Sequence, residues 1–105
     1  MIAHSELRER VLDANRGIVE AGLVTLTFGN ASAVDRSAGV MAIKPSGVSY
    51  DELRPGSIVV VDLGSGEVVD GAFKPSSDTP THLALYRRFQ TVGGVVHTHS
   101  ASATA

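Results

Sequence analysis

The stretch Ala31-Ser32-Ala33-Val34-Asp35-Arg36-Ser37-Ala38-Gly39-Val40-Met41-Ala42-Ile43 decides the fold. Two short runs flank Arg36-Ser37-Ala38-Gly39, a polar turn ending in glycine. Strands at 31–35 and 40–43 are therefore expected to pair as a hairpin. The same pattern recurs downstream. Ile58-Val59-Val60-Val61-Asp62 is the strongest strand signal in the chain, with four β-branched residues in a row. Leu63-Gly64-Ser65-Gly66 then turns it back onto Glu67 to Asp70. Parallel strands need long crossover connections, and these connections are too short. The expectation is an α/β fold with helices packed on a mostly antiparallel sheet.

Working outward, Leu7, Val11, Ala14 and Ile18 recur at helical spacing. With Ser5 as N-cap and Gly22 just past the end, they predict a helix over 5–21. Glu6, Arg8, Glu9, Arg10 and Asp13 fall mostly off that apolar stripe. Leu23 to Asn30 reads as apolar chain entering a tight Gly-Asn turn. Lys44-Pro45-Ser46-Gly47 ends the first hairpin, and Asp51-Glu52-Leu53 suits one helical turn. Thr79 and Pro80 suit the N-cap and first position of a second helix running to about 89. Its packing stripe is Leu83, Tyr86 and Phe89. Gly93-Gly94 precedes a last strand, Val95 to Thr98, whose apolar approach suggests a buried central position. The order is helix, hairpin, hairpin, helix, strand, with no repeat and no linker.

Composition narrows the function. Of 105 residues, 43% are hydrophobic and 19% charged, as in ordinary globular domains. A net charge of −2 and 5% aromatics give neither a basic stripe nor a stacking surface, so nucleic acid is not an expected partner. The absence of cysteine removes disulfides and thiolate metal sites. Neither a signal peptide nor an apolar run of about 18 residues is visible, so no membrane association and a cytoplasmic location are expected. The chain stops at Ala105 soon after its last strand, which reads as a truncation.

Few residues can carry chemistry. His97 and His99 are two apart on a strand, so they share a face and could offer two imidazoles to a divalent metal. Two surface histidines explain that spacing equally well. Asp78 precedes the second helix, where a capping role is the simpler reading and a carboxylate beside a metal the functional one. Ser76 and Ser77 at the same helix start suit an anion. Gly29-Asn30 and Ser46-Gly47 are further turns with exposed amides, and Lys44 and Lys74 could neutralise a phosphate. These turns gain meaning only if the fold unites them. His4 and His82 read as structural or exposed, Tyr50, Tyr86 and Phe89 as packing, and Glu67 and Asp70 as surface charges.

Four runs, in order, resemble the class II aldolase/epimerase family. They are residues 24–35 (Val24 to Asp35), 43–48 (Ile43 to Val48), 74–82 (Lys74 to His82) and 95–100 (Val95 to Ser100). Together the resemblance spans essentially the whole chain. Asp78-Thr79-Pro80-Thr81-His82 and His97-Thr98-His99-Ser100 resemble the epimerase branch, whereas the aldolases carry Glu after the serine pair and often read His-Asn-His.

The resemblance implies a three-layer α/β/α fold around a mixed, mostly antiparallel sheet, of which this chain is the N-terminal part of a single domain. It implies metal-dependent epimerisation of L-ribulose 5-phosphate to D-xylulose 5-phosphate by retro-aldol and aldol steps. His97, His99 and Asp78 match metal positions, usually for zinc. Gly29, Asn30, Ser46, Gly47, Ser76 and Ser77 match the substrate-phosphate pocket, with Lys44 assisting. The family is usually homotetrameric, with a phosphosugar substrate. Its third metal histidine and its acid/base residues are expected beyond Ala105, so the 105 residues alone are expected to be inactive. The alternatives are a class II sugar-phosphate aldolase and an inactive fragment acting as a binding module.

Overall fold

The computed structural model describes residues 4–20 and 30–97, the last of these through its backbone alone. Helix α1 spans Ser5–Glu20. Strands β1 (Asn30–Asp35) and β2 (Val40–Ile43) form the expected hairpin, with Ala33 opposite Ala42. Its turn is set locally: the Asp35 carboxylate accepts from the Ser37 hydroxyl (2.7 Å) and the Ala38 amide (3.2 Å), and Gly39 takes φ +69°. Strands β3 (Val59–Asp62) and β4 (Val68–Asp70) form the second hairpin, irregular between Val60 and Val61. Helix α2 spans Thr79–Arg88 and strand β5 spans Gly94–His97. The sheet order is β4-β3-β2-β1-β5. Every pairing among the described strands is antiparallel, so the expected mixed character is not seen in them.

Strand alternation sorts the core into two clusters, one per sheet face. Ala33, Val40, Ala42 and Val60 pack with Leu7, Val11 and Leu12 of α1 and with Tyr50, Leu53 and Ile58. Val34, Met41, Ile43, Val59 and Val61 pack with Leu83 and Tyr86 of α2. The sheet thus lies between two helices, the three layers expected.

Several boundaries and burials differ from expectation. The first helix begins at Ser5, after His4 at φ 55°. Ala14 is exposed and Asn15 is buried instead. The Asn15 amide donates to the Val11 and Ala31 carbonyls (2.7 and 3.1 Å), and its oxygen accepts from the Ala31 amide (2.9 Å). One polar side chain therefore satisfies both backbone groups of Ala31 and fastens α1 to β1. Arg8 is also buried, at 2% exposure, reaching the Ile58 carbonyl (3.0 Å) and Asp70 (2.6 Å). Asp70 is thus an ion-pair partner rather than a loose surface charge. Phe89 lies past the end of α2 and is exposed. Two short 3-10 turns, Tyr50–Glu52 and Pro55–Ser57, replace the single expected one.

Among the described strands, β5 pairs with β1 and stands last in the sheet order. Val95 packs toward α2, but Val96 on the other face is 59% exposed. Among the described residues, the cover on β5 lies on its Val95 face. Thr98 lies outside the described residues.

Candidate active site

The site begins where the second and third motifs meet. After β2 the chain runs through Lys44-Pro45-Ser46 and lies antiparallel to Lys74-Pro75-Ser76. The Ser46 amide donates to the Lys74 carbonyl (2.8 Å), the Ser76 amide donates to the Lys44 carbonyl (3.1 Å), and Pro45 bridges Pro75. Proline cannot donate, so the flanking residues carry the bonds and fix the register. Gly47 follows at φ +75°, a left-handed turn that glycine takes without strain. Two turns that are distant in sequence thereby become neighbours.

Ser76 then opens α2. Its carbonyl accepts from the Thr79 amide (3.0 Å) and the Thr79 hydroxyl (2.6 Å), and its own hydroxyl accepts from the Asp78 amide (3.2 Å). The N-cap residue is Asp78, one position earlier than expected, and its side chain makes no capping bond to the helix amides. Its carboxylate instead accepts from the Asn30 amide at 2.7 Å. Asn30 also reaches the Ser76 hydroxyl at 3.2 Å. The simpler capping reading of Asp78 is therefore not what the geometry shows.

Asn30 is 4% exposed, and its oxygen has no hydrogen-bond partner among the described residues. The carboxylate contact fixes which end of the amide is nitrogen, because a carboxylate accepts and cannot donate. A buried, preoriented acceptor thus sits next to the carboxylate. The β1–β5 register sets Asn30 directly opposite His97. Asn30, Ser76, Asp78 and the backbone of His97 are therefore brought together from three elements.

Other candidates are placed apart or not placed. Ser46, Gly47 and Ser77 are exposed beside the paired turns. Lys44 is 2% exposed, but its ammonium lies 4.9 Å from the Tyr50 ring centroid and donates to the Pro45 carbonyl (3.3 Å). Tyr50 belongs to the α1-side cluster, so the Lys44 ammonium is not part of the Asn30–Asp78 group. Burial pushes the Lys44 ammonium pKa down and the Tyr50 phenol up to about 12. Gly29 and His99 lie outside the described residues. No group of three or more metal-ligating side chains occurs among the described residues, which include neither the His97 nor the His99 ring.

Sequence reasoning passed over a buried polar group beneath this site. The Ser32 hydroxyl lies 2.6 Å from His82 Nδ1 and 2.7 Å from the Tyr86 hydroxyl. The signal was legible in part: Ser32 alternates with Asn30 on β1, and His82 and Tyr86 are one helical turn apart on α2. No sequence pattern says that these two elements pack together.

The chain is 55% identical over 100 residues to the L-ribulose-5-phosphate 4-epimerase UlaF of Salmonella paratyphi C, covering 95% of this chain and 43% of that protein. The UlaF epimerase of Salmonella typhi matches to the same extent. Among solved structures, an L-fuculose 1-phosphate aldolase superposes with TM-score 0.89 at 35% identity, covering 98% of this chain and 48% of that one. The L-fuculose-1-phosphate aldolase of Thermus thermophilus gives TM-score 0.72 at 26% identity, covering 97% and 50%. The chain thus spans about half the length of the relatives it matches. Residues 9–105 match the family described as Class II Aldolase and Adducin N-terminal domain, and the chain belongs to that family.

Proposed function

We propose that this chain is the N-terminal part of a single-domain, metal-dependent epimerase that converts L-ribulose 5-phosphate to D-xylulose 5-phosphate. The observation that carries the reading is the Asp78 carboxylate, turned away from the helix amides and held by Asn30 opposite His97. The 55% identity to an L-ribulose-5-phosphate 4-epimerase supplies the reaction. In this reading Asp78, His97 and His99 hold a divalent metal, most simply zinc. The donor set suits such an ion: one carboxylate oriented by an amide, plus imidazoles, without thiolate. When bound, the metal supplies Lewis-acid polarisation of the substrate carbonyl.

The remaining work falls to the chain. Inverting C4 by a retro-aldol route breaks the C3–C4 bond, turns the aldehyde fragment and remakes the bond on its other face. The fragment must turn without leaving, so its phosphate has to be gripped throughout. Gly29, Asn30, Ser46, Gly47, Ser76 and Ser77 form that grip, through hydroxyls and amides at the paired turns and the start of α2. Lys44 contributes through its carbonyl, which fixes Ser76, and its buried charge lies behind the turn. Beyond its place in that grip, the Asn30 side chain orients Asp78 through its nitrogen, and its oxygen accepts from a substrate hydroxyl. The proton-transfer residues are assigned outside these 105 residues. A homotetramer in the cytoplasm is the assembly this reading carries.

The experiment is direct. The complete protein, supplied with divalent metal and L-ribulose 5-phosphate, is expected to form D-xylulose 5-phosphate. A protein that gives none, under conditions where it binds metal, refutes the reading. The likeness to an L-fuculose 1-phosphate aldolase supports a second reading, sugar-phosphate cleavage, in which a free aldehyde accumulates during turnover.

A further inference from the structure

Asp70-Gly71 is the only Asp-Gly pair in the sequence, and no Asn-Gly pair accompanies it. An aspartate side chain can close a five-membered ring onto the next residue's nitrogen. Glycine, which has no Cβ, leaves that nitrogen least obstructed. The fold commits the chain to this pair. Gly71 takes φ +129°, and a Cβ there would stand 3.3 Å from the Val59 Cα, so a larger residue would crowd β3. Asp70 is the partner of the buried Arg8, whose Nη2 lies 2.6 Å from its Oδ2. Neither residue can be exchanged without loss elsewhere.

Little else holds the segment. β4 is three residues long, and among the described strands it pairs with β3 alone, irregularly between Val60 and Val61. Asp70 is its last residue, with 43% of the side chain exposed, and Gly71 is exposed, so water reaches the pair. A strand this short opens locally at low cost. Ring closure needs two movements. The backbone at Asp70 must leave its extended geometry, so that the Gly71 nitrogen faces the side chain. The carboxyl must also come away from Arg8 and turn onto that nitrogen.

We propose that Asp70-Gly71 is a site of spontaneous succinimide and isoaspartate formation, and that Arg8 is the restraint that keeps it closed in the folded chain. The Gly71 nitrogen bonds to Asp70 Cγ and a Cγ–O bond breaks. The oxygen leaves as water, with the Gly71 amide proton and one proton from solvent. Water then reopens the ring. Attack at Cγ restores aspartate, and attack at the α-carbonyl leaves the chain running through Cβ and Cγ as isoaspartate. That product has one more carbon in its backbone and carries its carboxylate on Cα, so it no longer fits both the Val60 register and the Arg8 contact. The modification therefore loosens the second hairpin. None of this rests on the epimerase reading.

The test incubates the complete protein in neutral buffer. Isoaspartate is read by methyl transfer from labelled S-adenosylmethionine with an isoaspartyl methyltransferase, and the label is placed by peptide mapping. Folded Arg8→Ala is expected to accumulate isoaspartate at Asp70 about tenfold or more faster than wild type. Asn15→Ala weakens the join of α1 to β1 but keeps the Arg8 pair, and its rate is expected within about twofold of wild type. Asp70→Glu, whose longer side chain does not close the five-membered ring, is expected to remove the label from this peptide. If Arg8→Ala does not fold, Arg8→Lys takes its place, since it keeps the charge but loses the planar fork, and it too is expected to exceed wild type. A folded Arg8 variant no faster than Asn15→Ala overturns the restraint. Label that maps away from Asp70 in that variant overturns the site.

Discussion

Single side chains fasten this fold at points where backbone would otherwise be left unpaired. Asn15 is the clearest case. It is fully buried and bonds both the amide and the carbonyl of Ala31. Asn15→Ala strips partners from two buried backbone groups, and urea unfolding should show a loss of about 2–4 kcal/mol. Tyr50 gives a pH signature. Burial holds its phenol protonated to about 12, against 10.0 in an unfolded chain. Between those values the unfolded state has lost the proton and the folded state has kept it, so stability falls as pH rises across that window. Tyr50→Phe removes this term. The wild-type-minus-variant stability should be flat below pH 10 and decline toward pH 12, and a flat difference throughout would contradict the burial argument. At this scale the sequence was only partly informative. The polar residues at the turns were legible because Asp, Ser and Gly act locally. Asn15, Arg8 and Ser32 were not, because each is explained by a partner from another element.

At the scale of elements, α2 is the part that positions the site, and it is held at both ends. Its N-terminus is tied to β1 through Asn30, Ser76 and Asp78. Its C-terminus is closed by Arg36, which donates to the carbonyls of Tyr86 (3.1 Å), Phe89 (2.9 Å) and Val92 (2.7 Å). A guanidinium suits the negative end of a helix. Arg36→Ala is expected to cost about 2 kcal/mol and to speed amide exchange at Phe89 more than at His82. The second hairpin is pinned differently, by the buried Arg8 on Asp70. Arg8→Ala should cost about 3 kcal/mol, because the half-exposed Asp70 loses its partner and a buried space opens. Asp70→Asn, retaining a hydrogen-bond acceptor, should cost less in the same unfolding experiment. The elements themselves were largely legible. Both hairpins and both helices stand where periodicity and turn chemistry put them, within one or two residues. The pairing of β5 with β1 was not legible, since an apolar run reports burial potential and not which strand lies beside it.

At the scale of the whole molecule, the sheet between two helices matches solved class II aldolases across nearly all of this chain but about half of theirs. No described helix is long and apolar enough to cross a membrane. The candidate site lies where β1, β5 and the start of α2 meet. The family was legible from four ordered motifs because each packs against another: the second lies along the third, and the register sets the first beside the fourth. The central claim is that Asp78 serves the site and not the helix. The decisive measurement pairs turnover of L-ribulose 5-phosphate with equilibrium unfolding for Asp78→Asn in the complete protein. The account expects kcat to fall by about a hundredfold or more while stability stays within about 0.5 kcal/mol of wild type. A variant that keeps wild-type turnover but loses about 1 kcal/mol or more of stability would make Asp78 a helix cap and contradict it.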